Sequence, residues 1–193
     1  MELTQRQLEI IDAAGKILTS SGISGLTIKN LAKEMKFTES AVYRHFKSKE
    51  EIIIAMLNYL ADSIDERFSK TTTSSDPEEN FRALFGAQIR YFNANHHFVV
   101  AVFSDGLMEE SQRINDCIYN IMQVKMKYLL PIITNGQQKG IFTTVIPTEA
   151  LMHIVMGAFR LQMFKWRMAN FSFDINQTAD NMVQFILTLI KTK

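Results

Sequence analysis

Thr38, Ser40, Tyr43, Arg44 and His45 bring two aliphatic hydroxyls, a phenol, a guanidinium and an imidazole into eight consecutive residues. Such groups hydrogen-bond phosphate oxygens and reach base edges, the chemistry of reading duplex DNA. The surrounding charge agrees. From Thr27 to Lys49 the cations Lys29, Lys33, Lys36, Arg44, Lys47 and Lys49 stand against Glu34 and Glu39, a local net charge of +4. The side chains expected to meet DNA are Thr27, Lys29, Thr38, Glu39, Ser40, Tyr43, Arg44, His45 and Lys49.

The other reactive side chains offer less. His96 and His97 are adjacent, with His153, Asp105 and Glu109 as the available partners for a metal ion. Neighbouring residues of a helix point about 100° apart, so two such imidazoles do not easily share one ion. No His-x₃-His or Cys-x₂-Cys spacing occurs, and no metal is expected. Cys117 is the one cysteine, which excludes an intrachain disulfide and points to an intracellular protein. It lies on an apolar stripe and is expected to be a small buried hydrophobe. With no glycine-rich phosphate loop, no Gly-x-Ser-x-Gly and no Ser/His/Asp set, neither an enzyme nor a cofactor is expected.

The basic segment needs elements to present it. Thr27 can cap a short helix whose Ile28, Leu31, Ala32 and Met35 share one face. The chain then turns at Lys36-Phe37, with Phe37 expected to be buried. Thr38 caps a second short helix running through Arg44, in which Ala41 and Val42 can face inward. Ser48-Lys49-Glu50-Glu51 is a capping box that opens a third helix. Two short helices joined by a tight turn form a helix-turn-helix, whose second helix enters the major groove. Ahead of it, Thr4-Gln5-Arg6-Gln7 opens a helix with Leu8, Ile11, Gly15 and Leu18 on one stripe and Ile10, Ala14 and Ile17 beside it. That helix is expected to stop near Ser20-Ser21-Gly22.

Leu31-Ala32-Lys33-Glu34 followed by Ser40-Ala41-Val42-Tyr43-Arg44-His45-Phe46-Lys47-Ser48-Lys49-Glu50-Glu51 resembles the DNA-binding signature of TetR-family transcriptional regulators. The motif covers about residues 8 to 57; the remainder matches in length and helical character. The resemblance implies an N-terminal three-helix DNA-binding domain and a C-terminal helical domain that holds a small effector. Where the family usually has glycine in the turn, this chain has Lys36. Glycine suits a positive φ, so either lysine costs about 1 kcal/mol there or the turn closes differently.

The rest of the chain is read as helices. One runs from Ser48 to Phe68 as the expected rod out of the DNA-reading end, and a polar break follows from Lys70 to Pro77. Phe81, Leu84, Phe85, Gln88, Ile89 and Phe92 then form a helical stripe, and His96 to Phe103 a short apolar helix broken near Ser104-Asp105-Gly106. A long helix runs from about Glu109 to Asn135, kinked at Pro131, and Gly136, Gly140 and Pro147 frame a loop. The last helices span Thr148 to Ala169 and Asn176 to Ile190. Strand-period alternation is confined to Ile141–Ile146. The expectation is an all-α chain of about nine helices, with residues 1–48 as the DNA-binding domain and 49–193 as the effector-binding and dimerisation domain.

Composition supports the division. The net charge of +1 splits into +2 for residues 1–50 and −1 for the remainder. Apolar residues make up 47% of 193, enough for a packed core. Nine of eleven methionines and twelve of fourteen phenylalanines follow residue 50. Met and Phe make adaptable, polarizable walls for apolar ligands. Phe85, Ile89, Phe92, Phe103, Met122, Met126, Met156, Phe159, Met163 and Trp166 are expected near such a cavity, with Arg90, Asp105, Arg160 and Gln162 as polar groups to orient a ligand. The last two helices are apolar on several faces: Leu151, Ile154, Val155, Ala158 and Leu161 against Met152, Met156, Phe159 and Met163 on one, and Met182, Val183, Phe185, Ile186, Leu189 and Ile190 on the other. One face of each needs a partner, most simply the same helices of a second copy.

The chain therefore reads as a cytoplasmic, homodimeric regulator, a repressor that binds a double-stranded DNA operator and is released or modulated by a small, mainly apolar effector. No membrane is involved: the N-terminus is unlike a signal peptide, and the uncharged run Ala150–Phe159 is too short to span a bilayer. The alternative is a protein of the same fold that works through a protein partner, such as a cell-division component. Asn95-His96-His97 leading into an apolar helix, with Glu109-Glu110 opening the long one, carries that alternative.

Overall fold

The first helix begins where its capping box predicts. In the computed structural model, which describes residues 3–103, 105–108 and 110–192, Thr4 Oγ1 accepts from the Gln7 amide at 3.3 Å and the Thr4 amide donates to Gln7 Oε1 at 3.0 Å. Helix α1 (Gln5–Gly25) is interrupted at Gly22, where the sequence places its end: that residue takes φ 65° and ψ −169°, outside the helical region, and a short helical stretch follows to Gly25. The positive φ suits glycine, but the ψ is not that of the left-handed residue expected to close the helix. The remaining helices are α2 (Ile28–Met35), α3 (Glu39–Tyr43), α4 (Lys49–Thr71), α5 (Pro77–Ala94), α6 (His96–Val102), the single turn α7 (Asp105–Met108), α8 (Gln112–Gln138), α9 (Thr148–Met168) and α10 (Ile175–Ile190). Among the described residues the chain is all-α, with ten helical segments where about nine were expected. The alternation at Ile141–Ile146 makes only an isolated antiparallel bridge, Phe142 to Lys191.

The chain divides into two compact units. The first comprises residues 1–61 and 96–121, the second residues 62–95 and 122–193. The boundary falls inside α4 and also inside α8, so α4 is not the one helix shared between them, as the sequence suggested.

In the first unit, α1 packs on α2 and α6, and α2 on α3. Ile10, Ile11, Ala14 and Leu18 are buried from α1, Leu31 from α2 and Val42 from α3. Gly15 is where α1 meets α6. A Cβ there would stand 2.7 Å from the His97 ring, which itself lies 4.1 Å from the Phe98 ring between centroids. Gly15→Ala gains about 1 kcal/mol in helix propensity but overpacks a constrained ring at a cost of about 1–3 kcal/mol. Thermal unfolding of this variant is expected several degrees below that of the unaltered chain, and an unchanged midpoint would show that the ring can yield.

The second unit is built on aromatic contacts. Phe159 of α9 meets Phe85 and Phe92 of α5 at centroid distances of 5.5 and 6.4 Å, and Phe81 meets Phe85 at 4.8 Å. Helix α10 packs on α5 and α9. Gly136 belongs to the end of α8 and not to a loop, and the Phe142 ring folds over it so closely that a Cβ there would stand 2.0 Å from that ring. Asp65 of α4 accepts from Lys127 Nζ at 2.7 Å and from the Tyr128 hydroxyl at 2.9 Å, tying α4 to α8. Among the described residues no helix is long and apolar enough to cross a membrane.

Candidate functional site

Local hydrogen bonds settle the helix-turn-helix. Thr27 Oγ1 accepts from the Asn30 amide at 3.1 Å and Thr38 Oγ1 from the Ala41 amide at 3.2 Å, so both expected caps form. Between them Lys36 adopts φ 56° and ψ 41°, the left-handed conformation. The Phe37 amide donates to the Ala32 carbonyl at 2.8 Å and the Lys36 amide to the Lys33 carbonyl at 3.2 Å, the paired bonds of a Schellman ending. The turn thus closes in the geometry glycine would take, with lysine bearing the strain. Phe37 is half-buried and not enclosed, with the Arg6 guanidinium 5.1 Å above its ring. Lys36→Gly is expected to stabilise the fold by about 0.5–1 kcal/mol, the left-handed strain removed less the backbone entropy added. A lower denaturation midpoint for that variant would contradict this account.

Helix α3 presents one side to solvent. It ends at Tyr43, one residue before the expected Arg44. Val42 is fully buried beneath it, Ala41 is half-buried, and Thr38, Glu39, Ser40, Arg44 and His45 are exposed, with Tyr43 at 50%. Thr27 and Lys29, at the start of α2, are exposed as well. The Gln7 side chain donates to the His45 carbonyl at 3.4 Å, so the start of α1 steadies the end of α3. The next capping box forms with one change. The Glu51 amide donates to Ser48 Oγ at 3.2 Å, but the Glu51 carboxylate accepts from the Lys47 amide at 2.8 Å instead of the Ser48 amide.

Lys49 departs furthest from expectation. Its ammonium pairs with Glu110 at 2.9 Å and its side chain is 31% exposed, so in this structure the charge is engaged within the protein, unlike that of Lys29. Beside it Glu50 accepts from the Ser111 hydroxyl at 2.6 Å and from Arg113 at 3.0 Å. The first turn of α4 is thereby anchored to the start of α8. Glu109, like Ser104, lies outside the described residues. Burial holds the His97 imidazole below its ordinary value, and its ring is committed to packing. Among the described residues no group of three His, Cys, Asp or Glu side chains could hold a metal ion. Cys117 is half-buried where burial was expected, with its thiol pushed up by partial burial.

The expected effector residues separate. Phe85, Ile89, Phe92, Phe159, Met163 and Trp166 are buried in the second unit, while Phe103 is buried in the first. Met126 and Met156 are half-buried, and Met122 is exposed because it lies off the stripe that Ile118, Ile121 and Leu129 turn inward. Arg90 and Arg160 are exposed. Sequence reading passed over two interior polar groups. Lys125 of α8 is 6% exposed, its ammonium 5.3 Å from the Phe92 ring and 5.1 Å from the Phe159 ring. Gln88 of α5 is 1% exposed, and neither Oε1 nor Nε2 has a hydrogen-bond partner. Burial lowers the Lys125 ammonium to about 7, with the charges of Arg160 and Arg67 acting in the same direction. Both residues occupy apolar stripes, which was the available signal: Lys125 follows Ile121 by one turn, and Gln88 lies between Phe85 and Phe92.

Comparison with known proteins places this geometry. The family model described as bacterial regulatory proteins, tetR family, matches residues 10–56, and one described as YsiA-like protein, C-terminal region, matches residues 56–189. The chain is 21% identical over 192 residues to the uncharacterized HTH-type transcriptional regulator YerO of Bacillus subtilis, covering 96% of this chain and 63% of YerO. It therefore spans less than two thirds of that relative's length. It is 20% identical over 188 residues to the fatty acid metabolism regulator protein of B. subtilis, covering 97% of both. A nucleoid occlusion factor SlmA, of Vibrio campbellii, is 26% identical over 122 residues, covering 62% of each chain. Among solved structures, the fatty acid degradation regulator FadR of Bacillus halodurans superposes with TM-score 0.87 at 18% identity over 97% of both chains. FadR of B. subtilis in complex with stearoyl-CoA superposes with TM-score 0.83 at 18% identity, covering 95% of this chain and 98% of that one.

Proposed function

The chain belongs to the tetR family of bacterial regulatory proteins, DNA-binding transcription regulators and not enzymes, and on that premise we propose that it is a cytoplasmic, homodimeric repressor released from its operator by an effector with a long apolar chain. The exposed flank of α3 over buried Val42, set in a basic segment, carries the DNA-binding part of this reading. Thr27, Lys29, Thr38, Glu39, Ser40, Tyr43, Arg44 and His45 are the proposed DNA contacts, while Lys49 acts through its pair with Glu110. Residues 1–48 read DNA in this account, and residues 49–193 bind effector and dimerise through α9 and α10. The aromatic interior of the second unit supports the effector reading, as does the resemblance to a regulator solved with stearoyl-CoA.

Productive half-sites lie about 34–36 Å apart, so a shift of a few ångströms between two α3 helices spoils one contact while the other is made. The effector acts by its differential affinity for the two arrangements, commonly about 5–150-fold. The test selects a binding site from random duplex DNA and titrates it, then adds stearoyl-CoA. Affinity is expected to fall steeply with salt, and Lys29→Ala to flatten the log–log slope by about one unit. Salt-independent binding would remove DNA as the partner. DNA affinity indifferent to stearoyl-CoA would favour the second reading, a regulator acting through a protein partner, which the match to a nucleoid occlusion factor keeps in view.

A further inference from the structure

Three helices of the second unit converge on the contact between Phe92 and Phe159. From α8 the Lys125 ammonium lies over both rings. From α5, Gln88 sits one turn before Phe92 with both amide atoms buried and unbonded. From α9, Gln162 sits one turn after Phe159 with its Nε2 buried and unbonded. Leaving buried amides unmatched costs about 1–3 kcal/mol each, so groups kept in this state point to a ligand that completes them. The unmatched atoms are two donors against one acceptor, and the ammonium adds a charged donor. The charges that act on Lys125, from Arg160 of α9 and Arg67 of α4, are also positive. An acceptor-rich anion matches such a set, and the surrounding rings suit an alkyl chain attached to it.

We propose that the interior of the second unit binds the carboxylate of an amphipathic monocarboxylic acid, held by the Lys125 ammonium and the Gln88 amide, with its alkyl chain against Phe92 and Phe159. This rests on reading the second unit as the effector domain, and it names the polar end of the effector as a free carboxylate.

Calorimetric titration of the full chain with decanoate, decanol and decanoyl-CoA tests the assignment. Decanoate is expected to bind more tightly than decanol, on the order of tenfold or more for a hydrogen-bonded charge pair. Lys125→Met is expected to abolish that preference while decanol still binds, and Gln88→Leu to reduce it. At pH 7.5, decanoate binding should take up protons, read from its heat in buffers of different ionisation enthalpy, because the carboxylate favours the charged form of a lysine held at about 7. Equal binding of decanoate and decanol, no binding of decanoate, or a preference that survives in Lys125→Met would each overturn the proposal. Binding of decanoyl-CoA without decanoate overturns it while leaving an acyl effector in place. Lys125-dependent decanoate binding that fails to release DNA upholds it and removes the regulatory reading instead.

Discussion

Lys125→Met is expected to raise the melting temperature by on the order of 10 °C at pH 6 and by little at pH 10. Burial lowers the lysine to about 7 from its ordinary value of 10.5. Below about pH 7 both the folded and unfolded chains carry the charge, and the folded state bears the full cost of enclosing it. Between about 7 and 10.5 the unfolded chain binds the additional proton, so the stability of the unaltered protein rises with pH across that window. At 1.36 kcal/mol for each unit, the enclosed charge costs roughly 3–5 kcal/mol at pH 6. Methionine keeps the apolar stem against Phe92 and Phe159 and removes that cost. In a chain of this length, each kcal/mol moves the midpoint by about 2–4 °C. Thermal unfolding followed by circular dichroism at pH 6 and pH 10 reads the difference. A gain that is the same at both values, or a loss at pH 6, would show that the ammonium is not the destabilising group. The same variant, being more stable, makes its loss of carboxylate preference a statement about binding and not about folding.

Lys125 also shows where sequence reading stops. Caps are local, made between a side chain and an amide three residues on, so Thr4, Thr27 and Thr38 could be placed from their neighbours alone. The all-α class followed from periodicity, whereas the two capped helices place the turn at Lys36 but leave its conformation open between a strained lysine and a different closure, and the structure gives the first. Periodicity names stripes, however, and does not say which stripe turns inward when a helix is apolar on several sides. On α8 it made Met122 a candidate lining residue, yet Met122 is exposed and Lys125 is enclosed. On α5 it included Gln88 in the stripe without asking what its amide would bond. The pairing of Lys49 with Glu110 joins residues 61 positions apart, and no local rule reports it. Phe37 was expected to be enclosed by its turn, but a turn of this kind leaves one flank of the ring open to Arg6.

Leu189→Glu is expected to give a folded monomer, whereas Ile186→Glu is expected to unfold the chain. Both residues lie on α10, and the sequence placed them together on its surplus apolar surface. The structure separates them: Ile186 is 6% exposed, inside the unit, while Leu189 is 77% and Phe185 66% exposed one turn apart. On α9 the exposed residues Ile154, Leu161 and Met168 recur every seven positions, a second apolar stripe left outside the unit's own core. In the proposed homodimer these exposed apolar residues of α9 and α10 are the ones to be covered, two helices from each of two copies packing in a four-helix arrangement about a two-fold axis. A carboxylate at Leu189 costs the isolated chain little, because that side chain meets solvent there; across an interface it would be enclosed without a partner. Coupling two DNA-reading ends makes the second half-site contact intramolecular, so a monomer should lose about 10²–10⁴-fold in affinity for a two-fold site while keeping weak binding to one half. Sedimentation at micromolar concentration, with helicity checked by circular dichroism, gives the first reading, and titration of whole and half sites gives the second. If Leu189→Glu and Phe185→Glu both sediment as dimers, α10 is not the interface. If they are monomers that bind whole sites as tightly as the unaltered chain, pairing of the two ends is not what holds this protein on DNA.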